Sequence, residues 1–303
     1  MHRFLPPLFI LLLCTCGRAP ETEAVTPPDA TPYVPADQGE PSYSADGNLL
    51  TIGLKNQTAT FDLATGGRLA SFTHAGKELL KTTRDADDLQ WGSTVWTSPQ
   101  SAWNWPPEAT FDRNAFTVQE ATASSVTLVS GVDPATKLQL TKTFIFSTSG
   151  KGGLHLGATY NLFNRGDQPV GRGLWENTRL PYGGDYLFVV DSMRVDKLAD
   201  NFATRGDATV VTLQPGDGQK GKLFIRPTKG KATWAYNGLR LRKLWYLNPD
   251  YDVAPGQAPL EIYLDAESGF TEFEIQGVYK EIQPGEGVGL SVDWQVVELV
   301  ETD

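Results

Sequence analysis

Thiols are almost absent from this 303-residue sequence, whose two cysteines, Cys14 and Cys16, both lie near its start. Beyond Cys16 none remains, which excludes an internal disulfide and a thiolate metal site from the rest of the chain. Histidine is nearly as scarce: His2, His74 and His155 lack the spacing a zinc site needs. The apolar run at residues 4–13 is about ten residues long, half of what a bilayer span requires. Positive charge is also in short supply, with 26 Lys and Arg against 36 Asp and Glu and a net charge of −10. That balance argues against nucleic acid as a partner and against electrostatic docking on anionic lipid. No stretch carries a helical apolar stripe of useful length, and no spacing recurs at a fixed period as a propeller would require. No G-x-S-x-G elbow, phosphate loop or dinucleotide fingerprint occurs in the context each needs. Oxygen-rich turns at Asp85, Asp87 and Asp88, and at Asn248, Asp250 and Asp252, lack the full calcium-loop pattern. No metal and no cofactor is expected.

What is present begins with a targeting segment. Arg3 precedes the apolar run, and Leu13-Cys14-Thr15-Cys16 follows it. The arrangement resembles a bacterial lipoprotein signal in which Cys16 is lipidated; a plain secretory signal is the alternative. Residues 17–45, rich in Pro, Ala, Thr and acids, read as a flexible tether. Residues 1–16 are thus expected to be the signal, 17–45 the tether and 46–303 one domain. The protein is expected to be exported and held at a bacterial cell envelope by lipid alone.

The domain reads with period two. Leu154, Leu156, Ala158, Tyr160 and Leu162 alternate with His155, Gly157, Thr159 and Asn161. Leu290, Val292, Trp294 and Val296 alternate with Ser291, Asp293 and Gln295. Such alternation marks strands buried on one face, and Gly- and Pro-rich turns separate the runs. Roughly fifteen or more short strands in two packed antiparallel sheets are predicted.

Residues 91–107, WGSTVWTSPQSAWNWPP, hold four of the eight tryptophans: Trp91, Trp96, Trp103 and Trp105. Their prolines and small polar residues argue against a buried strand, and their aromatic content against disorder. An ordered aromatic loop is expected, either as a binding rim or as a plug closing one end of the fold.

Several segments, in order, resemble galactose-mutarotase-like proteins. They are TGGRLASFTHAGKELL from Thr65, YNLFNRGDQPVGRGLWENTRLP from Tyr160, and the turn Pro284-Gly285-Glu286 before the final strand. The aromatic stretch is more narrowly similar to an uncharacterised domain family of bacterial lipoproteins in that superfamily. The resemblance implies an all-β fold, a large antiparallel β-supersandwich, with sugar bound on a concave sheet face. It also implies two histidines and a glutamate base at the sugar. Here the matching stretch, Leu174 to Arg179, has no histidine, and His74 falls in a predicted turn.

The expected ligand surface is therefore Trp96, Gln100, Trp103 and Trp105 with Trp175 and Arg179. Rings would supply apolar contact, and the amide and guanidinium would orient hydroxyls. The plain alternative for residues 174–179 is an edge strand with Trp175 packed and Arg179 solvated. Glu272, Glu274 and Gln276 share a strand face that alternation alone assigns to solvent, as it does Glu261, Tyr263 and Asp265. The paired acids could serve acid–base work if their environments split their pKa values. The reading is a carbohydrate-binding lipoprotein without mutarotase turnover. The alternatives are a sugar epimerase or polysaccharide-lyase-like enzyme using carboxylate, Tyr and Arg, or a protein-interaction module of the envelope.

Overall fold

The computed structural model describes residues 40–82, 90–148, 153–197, 202–205, 208–213, 220–248 and 250–299. The proposed signal, Cys16, most of the tether and the Asp85–Asp88 turn lie outside them. Among the described residues are twenty strands. The first six are β1 (Ser42–Tyr43), β2 (Leu49–Leu54), β3 (Gln57–Asp62), β4 (Arg68–His74), β5 (Lys77–Glu78) and β6 (Ser93–Ser98). A 3-10 turn (Gln100–Ala102) and a four-residue helix, α1 (Ala109–Asp112), follow. Next come β7 (Thr117–Thr122), β8 (Ser125–Val132), β9 (Leu138–Thr148), β10 (Leu154–Asn164), β11 (Val170–Pro181) and β12 (Gly184–Asp196). The rest are β13 (Phe202–Arg205), β14 (Ala208–Leu213), β15 (Lys220–Tyr236), β16 (Leu239–Trp245), β17 (Leu260–Asp265), β18 (Phe270–Gln276), β19 (Lys280–Ile282) and β20 (Gly287–Glu298). The ladder already takes in Ser42 and Tyr43, which pair with Thr51 and Leu50.

Every pairing is antiparallel, and the register traces two sheets. One runs β1–β2–β3–β4–β6–β11–β18–β17–β15 and continues to the C-terminal half of β12. The other runs β15–β16–β20–β10–β9–β8–β7. The 17-residue β15 belongs to both, pairing with β17 through Lys220–Ile225 and with β16 through Lys231–Tyr236.

The alternation decides which faces meet. Phe72 of β4 lies edge-on to Trp294 of β20 at 5.7 Å, and Phe61 of β3 meets Phe144 of β9 at 4.6 Å. Removing such surfaces from water is the main drive for closing two sheets into a sandwich. Polar groups cross this core too. Lys243 of β16, fully buried, donates to Glu176 of β11 at 2.7 Å, while Tyr160 and Trp294 donate to the other Glu176 oxygen at 3.2 and 2.9 Å. Burial pushes the Lys243 ammonium down against the pull of Glu176. Lys142 of β9 is buried as well, donating to the Gly66 carbonyl at 2.7 Å. Burial, with Arg68 nearby, lowers it from 10.5 to about 7.

The glycine pair between β3 and β4 has a packing reason. Gly66 has φ +68°, and a Cβ there would stand 2.5 Å from the Asp112 carbonyl oxygen. Only glycine lets β3–β4 turn this close beneath α1.

Candidate functional site

On β11, Leu174, Glu176 and Thr178 belong to the face turned toward the second sheet, and Trp175, Asn177 and Arg179 to the opposite face. The register lines up rows across that opposite face. Trp96, Trp175 and Gln276 form one; Thr94, Asn177, Glu274 and Glu261 the next; Arg179, Glu272, Tyr263 and Lys222 the third. The strand at residues 174–179 is therefore central, between β6 and β18, and Arg179 is fully buried. The edge-strand alternative is corrected by this pairing.

The aromatic stretch is two things rather than one loop. Its first part is β6, wholly buried between β4 and β11. Its prolines all come later, at Pro99, Pro106 and Pro107, so they never interrupt the ladder. The later part folds back over the sheet. Trp96 Nε1 donates to Asp112 at 2.8 Å, Arg68 donates to the same oxygen at 2.6 Å, and Trp103 Nε1 donates to the Thr97 carbonyl at 2.9 Å. Thr97 donates to Glu108 at 2.5 Å.

Five of the proposed ligand residues close on one another. The Trp96 ring lies 5.1 Å from Trp175, 6.0 Å from Trp103 and 6.1 Å from Trp105, each edge-to-face. Arg179 stacks its guanidinium 4.7 Å over Trp96, and Lys222 sits 4.7 Å over Trp175. Such contacts add to the area these rings bury. Trp96, Trp175 and Arg179 are interior, Trp103 is half-buried, and Gln100 and Trp105 are exposed.

Beneath the rings lies the acidic face assigned above to solvent; it is buried. Glu261 and Glu274 are fully enclosed, and Glu272, Gln276 and Asp265 nearly so; only Tyr263 keeps partial exposure. Alternation could not foresee the cover supplied by residues 99–116 and 250–259. Lys222 bridges Glu261 at 2.6 Å and Glu274 at 2.8 Å, Trp175 Nε1 donates to Glu274 at 2.9 Å, and Arg179 Nε donates to Glu272 at 2.9 Å. Burial pushes Glu272 up to about 7 against the attraction of Arg179, and Glu274 sharpens the rise. Burial also raises Glu274, offset chiefly by Lys222. The other two guanidinium nitrogens of Arg179, both ends of the Asn177 amide and the Thr94 hydroxyl have no partner among the described residues. Buried polar groups of this kind call for hydrogen-bonding company.

A cleft of about 740 Å³ opens beside this cluster. Gln276, Gly277 and Val278 line it together with Arg226, Tyr246 and Tyr251. Asn248, Thr228, Ser291 and Asp191 add polar groups. Tyr246 is 71 % and Tyr251 56 % exposed, whereas Gln276 is 3 % exposed. Gln257 meets the Gln276 amide at 3.2 Å, and whichever way the two amides are turned, one head atom of Gln276 is left without a partner among the described residues. None of the six proposed ligand residues lines the cleft; Gln276, cross-strand neighbour of Trp175, connects the two regions. Tyr246, Tyr251 and Arg226 were missed by the sequence reading. Two tyrosines around an Asn-Pro-Asp turn were the available signal.

The histidines lie elsewhere. His74 ends β4 rather than sitting in the turn, buried, with its Nδ1 2.8 Å from Gln57. His155, on β10, meets Asp293 at 2.8 Å. Neither lines the cleft.

A family model described as "Domain of unknown function (DUF4380)" matches residues 46–297. No curated protein matches by sequence. Among solved structures, the chain is similar to a putative mutarotase from Salmonella typhimurium (TM-score 0.57, 14% identity, 89% of this chain and 97% of that one). It is similar to a putative aldose 1-epimerase from Escherichia coli K12 (0.56, 11%, 83% and 99%). A galactose mutarotase-like protein from Lactobacillus casei is a third (0.54, 15%, 82% and 100%). At these identities the likeness establishes the galactose mutarotase-like β-sandwich fold.

Proposed function

We propose, for a chain that belongs to the DUF4380 family and has a galactose mutarotase-like fold, that its activity is carbohydrate binding in the cleft beside Trp175, without mutarotase turnover. The observation that carries this reading is the cleft itself. Its volume suits a small saccharide, two exposed tyrosine rings offer stacking surfaces, and the Gln276 amide offers a hydrogen bond that the protein leaves unmade. A sugar ring needs this mixture, an apolar face for aromatics and a hydroxyl rim for amides. The tryptophan cluster acts as the rigid wall that holds the Trp175–Gln276 row in place.

The placement of the histidines supports the second half. Ring opening at an anomeric carbon needs one group to take the hydroxyl proton and another to protonate the ring oxygen, and neither His74 nor His155 lines the cleft. Lipidation of Cys16 would hold the domain at the envelope, where glycans are met. A glycan array followed by calorimetry tests the reading; binding weakened by Tyr246→Ala supports it, and a silent array removes it. Cys16→Ser is expected to move the protein from the membrane fraction to the soluble one.

One observation favours a second reading. Glu272 and Glu274 lie buried on one face of β18 beside an aromatic cluster, where burial raises both, and paired carboxyl groups in such a setting are suited to acid–base chemistry on a sugar. Turnover in an aldose anomerisation assay or in cleavage of a uronic-acid polymer, lost in Glu272→Gln, would select this reading over binding.

A further inference from the structure

We propose that the saccharide held in the cleft carries an anionic substituent, seated between Arg194 and Arg226 in a hollow that adjoins the cleft. This inference rests on the carbohydrate reading above and adds a ligand class to it.

The hollow measures about 320 Å³ and shares Arg226 with the cleft. Ser192, Arg194, Phe224, Gly256 and Gln257 are among its other lining residues. Its placement follows from the β12–β15 register, in which Ser192 stands opposite Arg226 and Arg194 opposite Phe224. Alternation along each strand puts all four side chains on one face, so the two guanidiniums project from the same surface on neighbouring strands. Arg194 is held there, with its guanidinium carbon 3.6 Å from the Phe224 ring centre. Fixing the group in advance lowers the ordering loss when an anion arrives.

The charge pattern gives the sign. Among the described residues that line the hollow, both charged side chains are arginines and none is a carboxylate. This stands out in a chain of net charge −10. Arg226 does have a partner, Asp252, at 3.2 Å. Both members are largely exposed, 54 % and 81 %, and ion pairs so placed are weak enough for a ligand to displace. Asp191 lines the cleft but not the hollow, so a negative group is repelled from the first and drawn to the second. That division would orient the sugar. A carboxylate, a sulfate and a phosphate all present the paired oxygens that a guanidinium fork grips. The Ser192 hydroxyl lines the hollow as well and can complete the set.

The test uses the mature protein and a panel of hexose oligosaccharides in matched forms: neutral, C6-oxidised to the uronate, C6-sulfated and C6-phosphorylated. At low ionic strength, at least one acidic form is expected to bind about tenfold tighter than its neutral match, with the advantage shrinking as salt rises. Which acidic form gains most separates the carboxylate, sulfate and phosphate sources. In Arg194→Gln and Arg226→Gln the acidic-to-neutral affinity ratio is expected to fall toward one. In Asp252→Asn, which frees Arg226 and alters only an exposed side chain, the ratio is expected to rise. Equal binding of acidic and neutral forms, or a preference that survives both arginine changes, overturns the inference and leaves the carbohydrate reading standing. Failure of every form to bind overturns the carbohydrate reading, and this inference falls with it.

Discussion

Gln276 stands directly across from Trp175 in the pairing of β11 with β18. One residue lines the cleft and the other closes the tryptophan cluster, so a single cross-strand pair connects the open part of the site to its interior wall. The two parts are expected to respond to mutation in opposite ways, because one is built for contact and the other for rigidity.

The tyrosines should separate binding from stability. Tyr246 and Tyr251 are mostly exposed and line the cleft. Replacing either by alanine is expected to weaken saccharide binding by about 1–2 kcal/mol. The stability change should stay within about 0.5 kcal/mol. Calorimetric titration alongside urea unfolding checks both, and a large loss of stability would place the tyrosines in the core instead.

The tryptophans should divide by depth. Trp175→Ala removes a buried ring that also donates to Glu274, so a destabilisation of about 3–5 kcal/mol is expected. Trp105 is 55 % exposed and touches Trp96 edge-on, so Trp105→Ala is expected to cost about 1 kcal/mol or less. Equal unfolding midpoints for the two variants would contradict the depth assigned here.

That division was only half legible in the sequence. Period-two alternation located β10 and β20 with their buried faces, since a strand between a core and another environment writes its geometry into its composition. It also named the residues that share a face on β18. It could not say that both faces of that strand are covered, because the cover comes from residues 99–116 and 250–259, which have no period of their own. Glu261, Glu272 and Glu274 therefore read as solvated, although Lys222 and Arg179, distant in sequence, neutralise them in the interior. The aromatic stretch misled in the opposite sense. Its prolines, all beyond Ser98, coloured the reading of the strand before them.

Glu272 should report its own titration. Its affinity for the proton is raised from 4.5 to about 7 on folding, so the folded state holds a proton that the unfolded state has released between those values. The stabilisation from this group is complete below about pH 4.5 and is lost as pH rises through about 7. Arg179 links Glu272 to the face of Trp96, so tryptophan fluorescence is expected to change with a midpoint near pH 7. Glu272→Gln should abolish that step and flatten the decline in stability over the same interval. A step that persists in the variant would assign the titration to another group.

Lys142 should act with the opposite sign. Burial lowers it from 10.5 to about 7, so between those values the unfolded chain holds a proton that the folded one has given up. Stability from this group is present above pH 10.5 and is lost as pH falls through about 7, adding an upward slope of at most about 1.4 kcal/mol per pH unit across the interval. Lys142→Met keeps the apolar length of the side chain and removes the titration, at the loss of the bond to the Gly66 carbonyl. The variant's urea midpoint is expected to rise less between pH 7 and 9.5 than that of the unaltered protein. At pH 7 and below the variant should be the more stable of the two, since no ammonium has to be buried there. If the slopes are identical, Lys142 stays protonated in the folded state, and its bond to Gly66 would then have to be strong enough to hold a full charge between the sheets.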